Sequence, residues 1–226
     1  MNIKKTLIAI ITAMVVATAF TSCGNSGLKI EGTVVTGITD PTKVPANLKI
    51  PNGITEIDKK VFYQNKAIKT VIFPKTLSKI GYEAFRNCDY LESVTIRGSV
   101  TEFGEGAFRE CGALKEITIE NGVTTIGNLA FLNCIALKSV TIPDSITIID
   151  GGAFNGCKSL ENVTIPNSVT TIYAWAFGLC DALTEVKFLG TKEQWQSIYR
   201  GGPIGEFAVH CTDGDFPKQN WDFNGR

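Results

Sequence analysis

Residues 84–96 read AFRNCDYLESVTI, and residues 130–142 read AFLNCIALKSVTI. Near-copies of this length point to internal repetition, which decides a fold before any local propensity does. The phenylalanines give the period: Phe62, Phe85, Phe108, Phe131, Phe154 and Phe177 follow one another at 23 residues. Ile57, Ile80, Phe103, Ile126, Ile149 and Ile172 keep the same step. So do Ile68, Leu91, Leu114, Leu137, Leu160 and Leu183, and Val71, Val94, Ile117, Val140, Val163 and Val186. Six units without an insertion make a solenoid, because one such unit cannot bury its own apolar side and only stacking closes the core.

Each unit carries two local patterns. In Leu91-Glu92-Ser93-Val94-Thr95-Ile96, apolar Val94 and Ile96 alternate with Ser93, Thr95 and Arg97, the period of a half-buried strand. In Ile80-Gly81-Tyr82-Glu83-Ala84-Phe85-Arg86-Asn87-Cys88 the apolar residues fall at helical spacing, which predicts a turn or two of helix. Pro74, Pro143 and Pro166 end their strands, since proline cannot donate to a ladder. One coil is therefore expected to run strand, turn, short helix, return, with its strands stacked in a parallel sheet.

The unit L-x-x-V-T-I-P-x-S-V-T-x-I-G-x-x-A-F-x-x-C, met in Leu137-Lys138-Ser139-Val140-Thr141-Ile142-Pro143-Asp144-Ser145-Ile146 and its copies, resembles the BspA-type (Treponema pallidum-type) leucine-rich repeat family over residues 48–188. The resemblance implies an α/β solenoid, a right-handed leucine-rich-repeat superhelix, with six 23-residue repeats over 51–188. Residues 28–50 fit as an N-terminal cap strand that brings Leu48 and Ile50 into register. Residues 189–226 resemble the family's C-terminal cap. Within it, Thr191 and Gln194 have capping-box spacing, and Trp195 and Ile198 fall on one face of a short helix.

The first 22 residues read as an export signal: Lys4 and Lys5 precede an apolar run from Leu7 to Phe20 that contains no acidic residue. Phe20-Thr21-Ser22-Cys23 resembles a bacterial lipobox, with Phe20 in place of the usual Leu, which would make Cys23 the lipidated first residue and 23–27 a short tether. The competing site follows Ala17-Thr18-Ala19 and would release a free secreted protein. With the signal removed, 20 basic residues face 22 acidic ones and no basic run remains, which argues against nucleic acid as a partner. Membrane contact is then expected through the N-terminal lipid only.

No residue pattern calls for catalysis, a metal or a cofactor. Cys88, Cys111, Cys134, Cys157 and Cys180 form a column at the repeat step. A column sets thiols in a row and cannot close a tetrahedral zinc site, and five stacked thiols pointing one way do not pair into disulfides, so they read as small buried hydrophobes. His210 is the only histidine, which removes His-based triads and multi-histidine metal sites, and between Val209 and Cys211 it reads as structural. The glycine-rich stretch from Gly151 to Ser159 is one more copy of the repeat and not a phosphate loop.

What remains is surface. Outward strand positions place Ser93, Glu116, Ser139 and Asn162 in one column and Thr95, Thr118, Thr141 and Thr164 in another, with Arg97 at a strand end. Threonine is favoured on any exposed strand, but solenoids use this regular face to bind macromolecules. The resemblance implies a non-catalytic surface lipoprotein that binds host or microbial macromolecules in adhesion or recognition, at the outer membrane or cell surface. The alternatives are a periplasm-facing structural lipoprotein and a carbohydrate-binding accessory protein. Tyr173 and Trp175 are expected on the opposite side, either binding a ligand or packing beneath the C-terminal cap.

Overall fold

The computed structural model describes residues 27–222; the proposed signal peptide and Cys23 lie outside the described residues. The chain winds into a β-solenoid with three walls. The front wall is a nine-stranded sheet. Parallel strands at Asn47–Lys49, Thr70–Ile72, Ser93–Ile96, Glu116–Ile119, Ser139–Thr141, Asn162–Ile165, Glu185–Phe188 and Glu206–Cys211 stack in chain order, and Gly214–Asn220 closes the sheet antiparallel. The register is the sequence period: Leu48 pairs with Val71, Val71 with Val94, Val163 with Val186, and Val186 with Val209. The cap strand Glu206–Cys211 therefore carries the column one coil beyond the repeats. Pro217 and Lys218 sit in the exposed edge strand, where missing donors and charge discourage further pairing.

The second wall is made of two-residue strands and is broken in the middle. Glu56–Ile57, Lys79–Ile80 and Glu102–Phe103 form one sheet, and Thr125–Ile126, Ile148–Ile149, Thr171–Ile172 and Tyr199–Arg200 form another. The break follows the coil in which Phe103 holds the position that isoleucine holds elsewhere. Its ring stays part-exposed and leans on Phe108 and Phe131, with centroids 6.0 and 5.9 Å away.

The third wall corrects an expectation. Residues 81–88 and their copies form no helix; among the described residues the α-helix is Lys192–Ser197 alone. Alternate amides serve different partners. Ala84, Arg86 and Cys88 donate to carbonyls three residues back, at Gly81, Glu83 and Phe85. Glu83, Phe85 and Asn87 donate instead to the next coil, at Glu105, Ala107 and Arg109. A helix keeps every amide for itself, whereas this wall exports half of them as a second ladder. The geometry needs a left-handed residue at every fourth position. Lys60, Glu83, Gly106, Leu129, Gly152 and Trp175 all have φ between 49° and 62°, and four residues later Gln64, Asn87, Glu110, Asn133, Gly156 and Leu179 have φ between 53° and 72°. Apolar spacing alone cannot distinguish such a run from a helical turn.

The core lies between the walls. The six phenylalanines stack with centroid spacings of 4.8, 5.1, 5.6, 5.4 and 5.5 Å, near the coil rise that a parallel sheet imposes. Phe207 ends the stack by meeting Phe177 at 90°. Beyond it, Trp195 is fully buried between Phe188 and Trp221, on a helix opened by the reciprocal capping box of Thr191 and Gln194. At the other end the structure differs from a single cap strand. Leu28–Glu31 and Val34–Ile38 form a hairpin that extends the second wall, and a 3-10 turn at Pro41–Lys43 leads to Asn47–Lys49 on the front.

Candidate functional site

The outward strand positions assemble as one ruled surface. Thr70, Ser93, Glu116, Ser139 and Asn162 stand side by side through successive register pairs. Thr95 pairs with Thr118, and Thr141 with Thr164. All of these side chains are exposed or half-exposed. Exposed Ile72 and Lys187 flank the threonines at either end.

The face is not uniform. Between Glu116–Ile119 and Ser139–Thr141 the pairing shrinks to the single pair Ser139 with Glu116, although the neighbouring strand pairs hold three or four. Here Ile117 is half-exposed, while the other five members of its column are buried. A depression of about 310 Å³ opens at this place, lined by Ile117, Thr118, Ser139, Thr141 and Pro143. The repeat is identical at every step and carries no sign of it. The one sequence signal nearby is the loss of the proline column at Arg97 and Glu120.

Those two residues occupy the slots that hold proline in the coils on either side. Arg97 donates to Glu120 at 2.7 Å and to the carbonyl of Phe73 at 3.4 Å, and Glu120 also accepts from the amide of Gly98. Arg97 thus sits at the rim of the face and is engaged across two coils. His210 lies at the C-terminal end of the same face, with Nε2 3.2 Å from Glu185 and Nδ1 3.0 Å from Asp215. Hydrogen bonds to the Asp215 carboxylate and then to that of Glu185 push its pKa up from the ordinary imidazole value.

The thiol column is buried and its members form no disulfides with one another. Each Sγ donates to a phenylalanine carbonyl in the preceding coil, from Cys88 to Phe62 at 3.2 Å through Cys180 to Phe154 at 3.2 Å. Among the described residues no group of three or more His, Cys, Asp or Glu side chains is placed to hold a metal ion. A charged cluster that the sequence did not signal lies on the turn wall. Buried Glu83 accepts from Arg86 at 2.7 Å and pairs with Lys60 at 3.4 Å, and Arg86 reaches on to Glu110. Burial pushes the Glu83 carboxyl up, but Arg86 and Lys60 outweigh it and hold the group below its ordinary value. Tyr173 and Trp175 are exposed on this same wall although they adjoin the C-terminal cap, where Tyr173 meets Tyr199 edge-on at 6.1 Å.

A profile of the BspA type leucine rich repeat region matches residues 45–158 and 124–200, in six copies. Among solved structures, a leucine rich cell surface protein from Faecalibacterium prausnitzii is 31% identical with a TM-score of 0.55, over 68% of this chain and 50% of that one. A Treponema pallidum leucine rich repeat protein is 26% identical with a TM-score of 0.64, covering 72% of this chain and 81% of that one. A leucine-rich repeat protein from Eubacterium ventriosum shares the fold at 24% identity and a TM-score of 0.64, over 72% and 46%. The chain thus spans half the length of the Faecalibacterium protein. No curated protein matches it.

Proposed function

The chain belongs to the BspA-type leucine-rich repeat family, and from that premise we propose that it is a non-catalytic binding module whose front sheet contacts another macromolecule at a bacterial surface. The observation that carries this reading is the depression between Thr118 and Thr141, centred on an otherwise regular face whose polar side chains are free to meet a partner. A protein partner suits it: hydroxyls and a half-exposed Ile117 offer adaptable hydrogen bonds around a small apolar floor. The cell-surface description of the Faecalibacterium relative supports an exported setting, and Cys23 would supply the lipid tether.

The test is affinity capture of surface proteins by the chain from Cys23 onward, repeated with Thr118→Lys and Thr141→Lys together. A partner captured by both forms alike would move the site off this face. A second reading rests on the exposed group Tyr173, Trp175 and Tyr199, which offers aromatic surface of the kind that packs against sugar rings. Glycan binding lost in Trp175→Ala, with the front face untouched, would favour that reading.

A further inference from the structure

The charge of this protein is distributed along its long axis. Residues 27–100 hold eleven Lys and Arg against seven Asp and Glu, whereas residues 101–222 hold eight against fifteen. Because each coil adds one strand spacing of about 4.8 Å, sequence position is height along the solenoid, and the two halves are a basic end and an acidic end. The near-neutral total conceals this.

The lysines at the basic end are available. Lys49, Lys59, Lys66, Lys69 and Lys75 are all exposed, and none forms an ion pair among the described residues. They are not on one wall. Lys59 belongs to the turn wall, Lys66 and Lys69 to the corner leading into the strand Thr70–Ile72, and Lys75 to the corner after it. Lys49 ends the first front strand. They ring the first coil. Lys49 and Lys75 line one depression beside the front strands, and Lys59 and Lys66 lie away from it. A partner along one wall would meet only part of this set, whereas a surface lying across the end of the solenoid faces all of it.

We propose that the N-terminal end of the solenoid docks upright on an anionic lipid bilayer through this ring of lysines. Two features favour a bilayer over another occupant. The ring calls for a broad planar surface of negative charge, and the described chain begins at Gly27 in the hairpin that caps this same end, a few residues after Cys23. The ring stands within one or two coil rises of the end, roughly 5–10 Å, comparable to a Debye length of about 10 Å. The acidic cap is some six coils further, roughly 30 Å away, so its charge is screened and does not cancel the attraction.

The repeat provides an unusually direct control. Lys158 occupies the column of Lys66 four coils higher, and Lys138 that of Lys69 three coils higher. The two pairs differ in height and not in wall. The chain from Cys23 to Arg226, which contains every described element, is made without acyl groups, so the outcome is independent of the lipid-anchor reading. It is sedimented with phosphatidylglycerol–phosphatidylcholine vesicles and with pure phosphatidylcholine vesicles. Binding to the anionic vesicles only is expected, and it should vanish as salt shortens the Debye length to about 3 Å.

Since a lysine at the surface is worth roughly fivefold in partitioning, Lys66→Gln with Lys69→Gln should weaken binding by about tenfold or more. Lys66→Arg with Lys69→Arg should retain it, and Lys138→Gln with Lys158→Gln should change it less than about twofold, since those lysines lie beyond the Debye length. Equal losses from the Lys66/Lys69 and Lys138/Lys158 Gln pairs would mean side-on contact and overturn the proposal, as would equal binding to neutral vesicles or none to anionic ones. Lipid-free dimers that dissolve on replacing Lys66 and Lys69 would assign the basic end to the acidic end of a second copy, and would overturn it too.

Discussion

The thiol of Cys111 donates to the carbonyl oxygen of Phe85 across 3.1 Å, and the same bond links every cysteine of the column to the phenylalanine 26 residues before it. A thiol is a weak donor, but it is small enough to fill the corner where the turn wall meets the front strand, and it gives a second donor to a buried carbonyl that already accepts the amide three residues on. The column is thus both packing and polar bookkeeping, and no disulfide is needed to explain it.

Burial pushes the Cys134 and Cys180 thiols up to about 12, and those of Cys111 and Cys157 well above their ordinary value. Native protein should therefore leave these thiols unlabelled by iodoacetamide at neutral pH, and denaturation should expose them. Fast native labelling of four or more thiols would refute the buried column. The pH consequence has a definite sign. Below the unfolded value, near 9, both states are protonated and the stabilisation is intact. Above it the unfolded chain ionises first, so stability falls as pH rises from about 9 toward about 12. Urea unfolding midpoints measured across that range should decline, and Cys134→Ala should flatten the decline.

Phe108 is gripped on both sides, by Phe85 at 5.1 Å and Phe131 at 5.6 Å. Phe108→Ala should cost about 3–5 kcal/mol, because two stacked neighbours cannot both move into the gap without breaking their own register. Chemical denaturation measures it. A loss below about 1 kcal/mol would show that the ladder collapses around the hole.

Most of this fold was legible because the repeat converts sequence distance into spatial contact. Val71, Val94 and Val163 pair with the residues 23 positions on. The turn wall was not legible. Glu83, Leu129 and Trp175 adopt left-handed backbone without being glycine or asparagine, because the coil-to-coil ladder over-determines them, and no local signal announces that. The candidate face could be read as a set of columns, but the depression beside Thr118 could not, since it arises from a lapse in strand pairing and not from composition. The lysine ring was equally hidden: Lys49, Lys59, Lys66, Lys69 and Lys75 form no run in the chain and become neighbours of one end only when it coils.

Cys23 lies outside the described residues, and its role is tested biochemically. Cys23→Ala should shift the protein from the membrane fraction to the soluble fraction on cell fractionation at high salt, where attraction of the lysine ring to anionic lipid is screened. Intact-mass analysis showing an unmodified chain that starts at Phe20 would establish cleavage after Ala19 and a free secreted protein.

The last prediction separates fold from function. Thr95, Thr118 and Thr141 point away from the core and carry little packing energy, whereas Phe108 is fully buried and touches no outer surface. Replacing the three threonines together with lysine should therefore change stability by no more than a few kcal/mol. Binding should nonetheless be abolished, because three cations without partners would be desolvated in the interface. Phe108→Ala should do the reverse, weakening the fold while leaving the face chemically intact. Thermal unfolding and binding are measured side by side on both variants, using the partner that affinity capture yields. A triple-lysine variant that binds as the parent does would place the site elsewhere, and the exposed turn-wall aromatics Tyr173 and Trp175 would then be replaced by alanine in the same assay.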